Sequence, residues 1–188
     1  MDKFSHWIDA HATSRVVIIT TVIFLFFIIL VLPAENKRAA VEMGSSSPDL
    51  SLIYSPDDLI SIAKAYGVEG RAAYVLARIR FDIVWPLAYG VFLCTGISWL
   101  LQRILLAGSR WQLLNLLPIL AVGFDFLENL FASIVMMGYP DVPRWAAIGA
   151  SMATPLKWFF VVGCFTLAAG LMVAFGIKKS TKKELRQM

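Results

Sequence analysis

Charged side chains are scarce in this sequence: Asp, Glu, Lys and Arg make up 16% of its 188 residues, where an ordinary soluble domain carries about 25%. Hydrophobic residues fill the deficit, at 59%. They arrive in long charge-poor blocks, which is how a bilayer-spanning chain is written rather than a soluble core. Disorder, collagen and a soluble nucleic-acid binder are excluded on these grounds. Cysteine is nearly absent. Cys94 and Cys164 lie in apolar runs and form no CxxC, so a disulfide scaffold is excluded and a thiol oxidoreductase disfavoured. Histidine is equally rare: His6 and His11 stand five apart, whereas two histidines sharing a metal from one helix face need a spacing of about three or four. No metal site is assigned and no cofactor is expected. GxSxG, HExxH, P-loop and GxGxxG motifs are all missing, which removes the commonest hydrolase, metalloprotease and nucleotide-binding signatures. An inverted repeat is not evident either, which speaks against a self-contained secondary transporter.

What the sequence does contain is four apolar blocks with readable punctuation. Residues 1–15 place Phe4, Trp7, Ile8 and His11 at helical spacing behind Asp2 as an N-cap, predicting a short amphipathic helix on the membrane surface. Span 1 covers residues 16–32, too long for a signal-peptide core and without a convincing cleavage site. Residues 33–80 form the one substantial polar region, predicted as a small helical cap on the extracytoplasmic side. Within it, 44–48 read as a flexible link. Ser55, Pro56, Asp57 and Asp58 give a Ser N-cap, Pro at N1 and two acids in the first turn, a strong helix start. Gly67 fits a left-handed helix end, and a second helical stretch from about Glu69 runs toward the next span.

Span 2 covers 81–101, with Asp82 at its edge and a Trp85-Pro86 pair expected to kink it. Span 3 covers 111–137. After a short apolar stretch over 145–152, Thr154 and Pro155 read as N-cap and N1 of span 4, over 155–177. Gly163 and Gly170 on that span are expected to allow close packing. A basic tail over 178–188 holds Lys178, Lys179, Lys182, Lys183 and Arg186, five of the 17 basic residues. Such a tail marks a cytoplasmic face near anionic lipid, and no aromatic-interleaved basic face accompanies it to suggest nucleic acid. Lys3, Arg15, Arg103 and Arg110 fall on the same side, so the reading is an all-α four-helix bundle in the membrane, the plasma (inner) membrane if the source is prokaryotic, with both termini cytoplasmic.

Asp125, Glu128 and Asn129 are the candidate site. At i, i+3 and i+4 they project from one face of span 3, at depths of roughly 15–20 Å by helical rise. One bare charge there costs about 2.5–3.5 kcal/mol or more, so each acid must be protonated, paired or hydrated. Lys157 and Arg80 are the candidate countercharges, and Tyr89 and Asp82 lie on the facing side of span 2. Together these seven residues predict a polar pocket near the outer leaflet, built by spans 2 to 4. A row of Arg71, Arg78 and Arg80 suits either a lipid phosphate or a headgroup-facing surface. Three readings stay open. The acids bind a lipid-like or small amphipathic ligand; they act as an acid–base pair in an intramembrane lipid-modifying enzyme; or the polar face joins copies of an oligomeric assembly or pore subunit. Against all three stands a purely structural role, interhelical hydrogen bonding worth about 0.6–2 kcal/mol per contact.

Overall fold

The computed structural model describes residues 3–43, 48, 51–106 and 108–184, with no strand among them. Asp2, residues 44–47 of the expected link, and Arg186 lie outside the described residues, as do the side chains of Lys182 and Lys183. Four helical stretches are long and apolar enough to cross a membrane: Ser14–Glu42, Pro56–Ile104, Arg110–Gly138 and Arg144–Thr181.

After α1 (Lys3–His11), Thr13 caps α2 (Ser14–Phe26) by accepting from the Val16 N–H. A π turn (Phe27–Val31) then carries the helix directly into α3 (Leu32–Met43). The expected helix end at residue 32 is therefore overrun. Pro33 has no N–H for the Ile29 carbonyl and its ring crowds that oxygen. The π turn, in which the Leu32 N–H reaches back to the Phe27 carbonyl, absorbs the defect without stopping the helix.

The start of α4 (Pro56–Arg80) is as expected. The Ser55 hydroxyl accepts from the Asp58 N–H at 3.1 Å while the Asp58 carboxylate accepts from the Ser55 N–H at 2.8 Å, satisfying two orphan donors at once. Gly67, at φ 64°, breaks the helix, a conformation that costs a residue with a Cβ. Helix resumes at once on the far side, and Arg71 bridges the break by donating to the Ala63 carbonyl at 3.0 Å. The second half of α4 does not run on into the next helix: residues 81–83 form a turn before α5 (Val84–Ile104). Pro86 consequently sits in the first turn of α5, where no N–H is required, and the expected kink has no cause.

Span 3 does not begin as an α-helix at residue 111; Arg110–Leu116 wind as a 3-10 helix before α6 (Leu117–Gly138). The largest correction concerns span 4. α7 (Arg144–Glu184) is one helix of 41 residues with Pro155 inside it, so the apolar stretch over 145–152 is its opening and Thr154 is not its cap. Pro155 leaves the Ser151 carbonyl without its usual donor. The nearby hydroxyls lie on other carbonyls, Ser151 on that of Ala147 at 2.9 Å and Thr154 at 3.0 Å from that of Ala150, and the helix runs on past Pro155 all the same, as internal prolines of apolar helices do. Lys178 and Lys179, expected in a tail, continue the same helix.

Two apolar cores hold the helices. At one end Tyr54, Leu59, Ala63, Tyr66 and Tyr74 pack on Ala132, Val135 and Met136 of α6 and on Ala146, Ala147 and Ala150 of α7. Small residues let the α6 and α7 backbones approach. A Cβ on Gly149 would stand 2.7 Å from Phe131 Cδ2, and one on Gly90 only 2.5 Å from Val122 Cγ2. Close packing falls at these glycines and not at Gly163 or Gly170, whose Cβ positions meet nothing within 4 Å. The second core joins Phe24, Tyr89, Leu93, Ile97, Leu101, Ala121 and Cys164.

At the opposite end α1 docks on the bundle through polar contacts. The Ser5 hydroxyl donates to Asn115 Oδ1 at 2.9 Å, Asn115 Nδ2 donates to Asp9 Oδ1 at 3.1 Å, and Gln102 donates to the Asp9 carbonyl at 2.8 Å. Ser98 donates to Asp9 as well. The predicted apolar face of α1 is thereby split. Ile8 turns inward beside Ser5 and Ala12, while Phe4, Trp7 and His11 stay outside as a column of rings. Lys178 donates to the Arg103 and Ile104 carbonyls that end α5, at 3.0 and 3.1 Å, so α1 and the far end of α7 meet the same end of the bundle.

Candidate functional site

Asp125, Glu128 and Asn129 share one face of α6, yet the two acids have different neighbours. Glu128 is fully buried. It forms an ion pair with Lys157 of α7, and its Oε1 lies 2.5 Å from the Thr154 hydroxyl and 3.4 Å from the Tyr54 hydroxyl. Asp125 Oδ2 accepts from the Tyr89 hydroxyl of α5 at 2.9 Å, and Oδ1 accepts from Asn129 Nδ2 at 3.0 Å. Lys157 Nζ lies 4.0 Å from that Oδ1, so a single ammonium stands against both carboxylates and leans to Glu128. Burial makes such a pair costly to break: removing one partner strands the other, at about 3–5 kcal/mol.

Arg80 does not reach the acids. Its guanidinium pairs with Glu35 of α3 at 2.7 Å, tying α4 to a helix that the sequence expectation ended before Glu35. The cation that does approach is Arg78. Its Nη1 lies 2.9 Å from Asp82 Oδ2 and 3.3 Å from Asn129 Oδ1, with the guanidinium 4.4 Å from the centre of the Tyr74 ring. Arg71 lies 4.8 Å from the Tyr139 ring centre besides bonding the Ala63 carbonyl. All three arginines of the row are therefore engaged inside the protein.

These groups border a cavity of about 580 Å³ between α3, α4, α5, α6 and α7. Six of the seven expected site residues line it: Arg80, Asp82, Tyr89, Asp125, Asn129 and Lys157. Glu128 lies behind the wall. The cavity is graded. Glu35 and the Arg78–Asp82 pair stand at one end, whereas Val161 and Phe165 continue the Lys157 wall one and two turns further along α7. Trp85 and Tyr89 form an aromatic corner, with ring centres 5.6 Å apart in an edge-on contact. A site of this shape accommodates a polar head beside an apolar body.

Sequence reasoning missed Glu35 and Trp85 as wall residues and read Arg78 only within a row suited to a lipid phosphate or a headgroup-facing surface. The i, i+4 spacing of Arg78 and Asp82 was the available signal. Glu35 gave no such signal, because it fell in the polar region over 33–80, beyond the expected end of span 1. No protein-family model matches the chain, and neither a curated protein nor a solved structure matches it.

Proposed function

We propose that this chain is an integral membrane protein that binds a lipid-like or small amphipathic ligand in the cavity lined by Asp125, Asn129 and Tyr89. The observation that carries the reading is the gradient of the cavity, with ion pairs at one end and Val161 and Phe165 at the other. A single-chain or lipid amphiphile matches both halves, and a purely polar solute does not. Lys3, Arg15, Arg103, Arg110, Lys178 and Lys179 belong to the end where α1 docks. By the positive-inside rule that end is cytoplasmic, which puts the cavity toward the outer leaflet. Binding is favoured over acid–base catalysis because only one of the two carboxyl groups, Asp125, lines the cavity. Glu128 has a structural role, holding α6 to α7 and to Tyr54 through Lys157 and Thr154.

Native mass spectrometry of the full chain, released from nanodiscs of its host lipids, tests this. Wild type is expected to retain an amphiphile that Ala77→Phe, which adds a ring to the cavity wall on α4 and leaves the acids unsubstituted, loses while helicity is unchanged. No retained species in wild type, or equal retention in both, would overturn the reading.

A further inference from the structure

Arg103, near the end of α5, is held in place without a counter-ion. Its Nη1 donates to the Trp99 carbonyl at 3.0 Å, its Nη2 donates to the Ser14 hydroxyl of α2 at 3.2 Å, and the guanidinium lies 3.5 Å from the centre of the Trp99 ring. Arg38, Arg78, Arg80 and Arg144 each meet a carboxylate; among the described residues none reaches Arg103. Lys178 of α7, set on the Arg103 and Ile104 carbonyls, is a second cation that forms no ion pair among the described residues. Asp9, the acid of α1, is occupied by Ser98, Asn115 and Gln102. Ser14 adds to the imbalance. Its Oγ accepts from Trp99 Nε1 at 3.0 Å as well as from Arg103 Nη2, so both lone pairs are used and the hydroxyl has only its proton to offer. The guanidinium and the ammonium likewise carry more N–H groups than these bonds use. Every group left over at this point is a donor, and its complement is an anion rich in oxygen acceptors.

We infer that Arg103, Ser14 and Lys178 seat the phosphate of one anionic phospholipid of the cytoplasmic leaflet, with an acyl chain in the trough that α5 floors between α2 and α7. This site lies at the α1 end of the bundle and does not rest on the cavity; it shares with the reading above the membrane setting and the orientation. Phe92, Gly96, Trp99 and Arg103, at i, i+4, i+7 and i+11, form one stripe along α5. At one end of the stripe Phe92 stacks on Phe24 of α2 at 4.3 Å and tilts against Phe165 of α7 at 6.4 Å. At the other, Trp99 bonds Ser14 of α2 and meets Phe175 of α7 edge-on at 5.5 Å. Between them a Cβ on Gly96 would meet nothing within 4 Å, so the stretch of about 10 Å from Phe92 to Trp99 is bordered by rings and open in the middle. Ile18, one turn from Ser14 and 63% exposed, extends the apolar rim along α2. A free phosphate would meet the donors and leave this trough empty, whereas a phospholipid matches both. The lysines of the tail attract anionic lipid diffusely. A guanidinium fixed by two hydrogen bonds and a ring pairs a phosphate at defined points.

The test is native mass spectrometry of the full chain released from nanodiscs of equimolar phosphatidylcholine and phosphatidylglycerol. Wild type is expected to retain one phosphatidylglycerol about ten-fold in preference to phosphatidylcholine. Arg103→Gln is expected to abolish the preference. Arg110→Gln, which removes the same charge from an exposed side chain, and Ala77→Phe, which alters the cavity wall, are expected to keep it. Should Arg103→Gln fail to fold, Arg103→Lys replaces it: the charge stays, the paired N–H edge goes, and the preference is expected to fall about three-fold or more. No preference in wild type, or an unchanged preference in whichever Arg103 variant folds, would overturn the site. Equal loss in the Arg103 and Arg110 variants would overturn it too, by showing diffuse attraction alone. Loss in Ala77→Phe would put the lipid in the cavity, which overturns this assignment and leaves the cavity reading standing. Inorganic phosphate added before release distinguishes the source. Phosphatidylglycerol that stays bound is the expected result, and its displacement would give the donors to a soluble phosphate and overturn the lipid.

Discussion

The Tyr89 hydroxyl on α5 donates to Asp125 Oδ2 on α6 at 2.9 Å, and this bond fixes which way the carboxylate faces the cavity. Tyr89→Phe keeps the ring contacts with Trp85 and removes only the donor. The expected cost is about 0.5–2 kcal/mol, the range for interhelical hydrogen bonds in apolar surroundings, read by unfolding in mixed micelles. An unchanged midpoint would show that Asp125 is oriented by Asn129 and Lys157 alone.

Lys157 and Glu128 form a pair whose members should not be separable. Lys157→Met or Glu128→Gln alone is expected to cost about 3–5 kcal/mol, whereas the double substitution recovers a large part of the sum because no charge is stranded. The four proteins of the cycle, compared by denaturant midpoint, measure the coupling. Strict additivity would deny that the pair is formed.

Pro155 lies inside α7, not at its start. Pro155→Ala restores an N–H that can reach the Ser151 carbonyl, and stability is expected to stay level or rise, by up to about 3 kcal/mol. Were residue 155 the first turn of a helix, the same change would gain nothing and would loosen the start. Thermal unfolding with helicity as the readout distinguishes the two.

Gly149 and Gly163 lie on the same helix and should respond oppositely. Gly149→Ala drives a methyl to 2.7 Å from the Phe131 ring, and the forced separation of α6 and α7 is expected to cost about 1–3 kcal/mol. Gly163→Ala meets nothing within 4 Å and is expected to be neutral or to stabilise by about 0.5–1 kcal/mol through helix propensity.

Asn115 joins α1 to the bundle through Ser5, Asp9 and Ser98. Asn115→Leu removes those partners while keeping the volume, and amide exchange over Lys3–His11 is expected to accelerate ten-fold or more, with α5 and α6 protected as before. Exchange rates that do not move would mean that Ile8 and Ala12 hold α1 without the polar contacts.

The legible parts of the fold were those written in local chemistry. Ser55 with Asp58 announces a helix start by itself, and the i, i+3, i+4 spacing places Asp125, Glu128 and Asn129 on one face whatever surrounds them. Two of the boundaries that moved lie at prolines. Pro155 reads as the first residue of a helix, its usual place in water, and stands inside α7 instead; span 1 is expected to end with its last apolar residue, and a π turn carries the helix on past Pro33. Arg80 and Arg78 illustrate the remaining limit. Two residues apart, they point about 200° apart around α4, and only the packing of α4 on α6 decides which of them meets Asn129 and which meets Glu35. The same packing separates the roles of Asp125 and Glu128, which spacing alone makes equivalent.

The length of α7 has a mechanical result. Forty-one residues at about 1.5 Å each give a rod of roughly 60 Å, about twice the roughly 30 Å thickness of bilayer hydrocarbon. On the membrane reading proposed above, close to half of the rod would stand outside that slab or lean through it. Trp145 and Arg144 mark its upper end, and Lys178, bonded to the last carbonyls of α5, marks its lower one. On that reading, a rod anchored at these two levels would work as a depth gauge, fixing how far the bundle sinks and so the height of the cavity mouth relative to the surrounding headgroups.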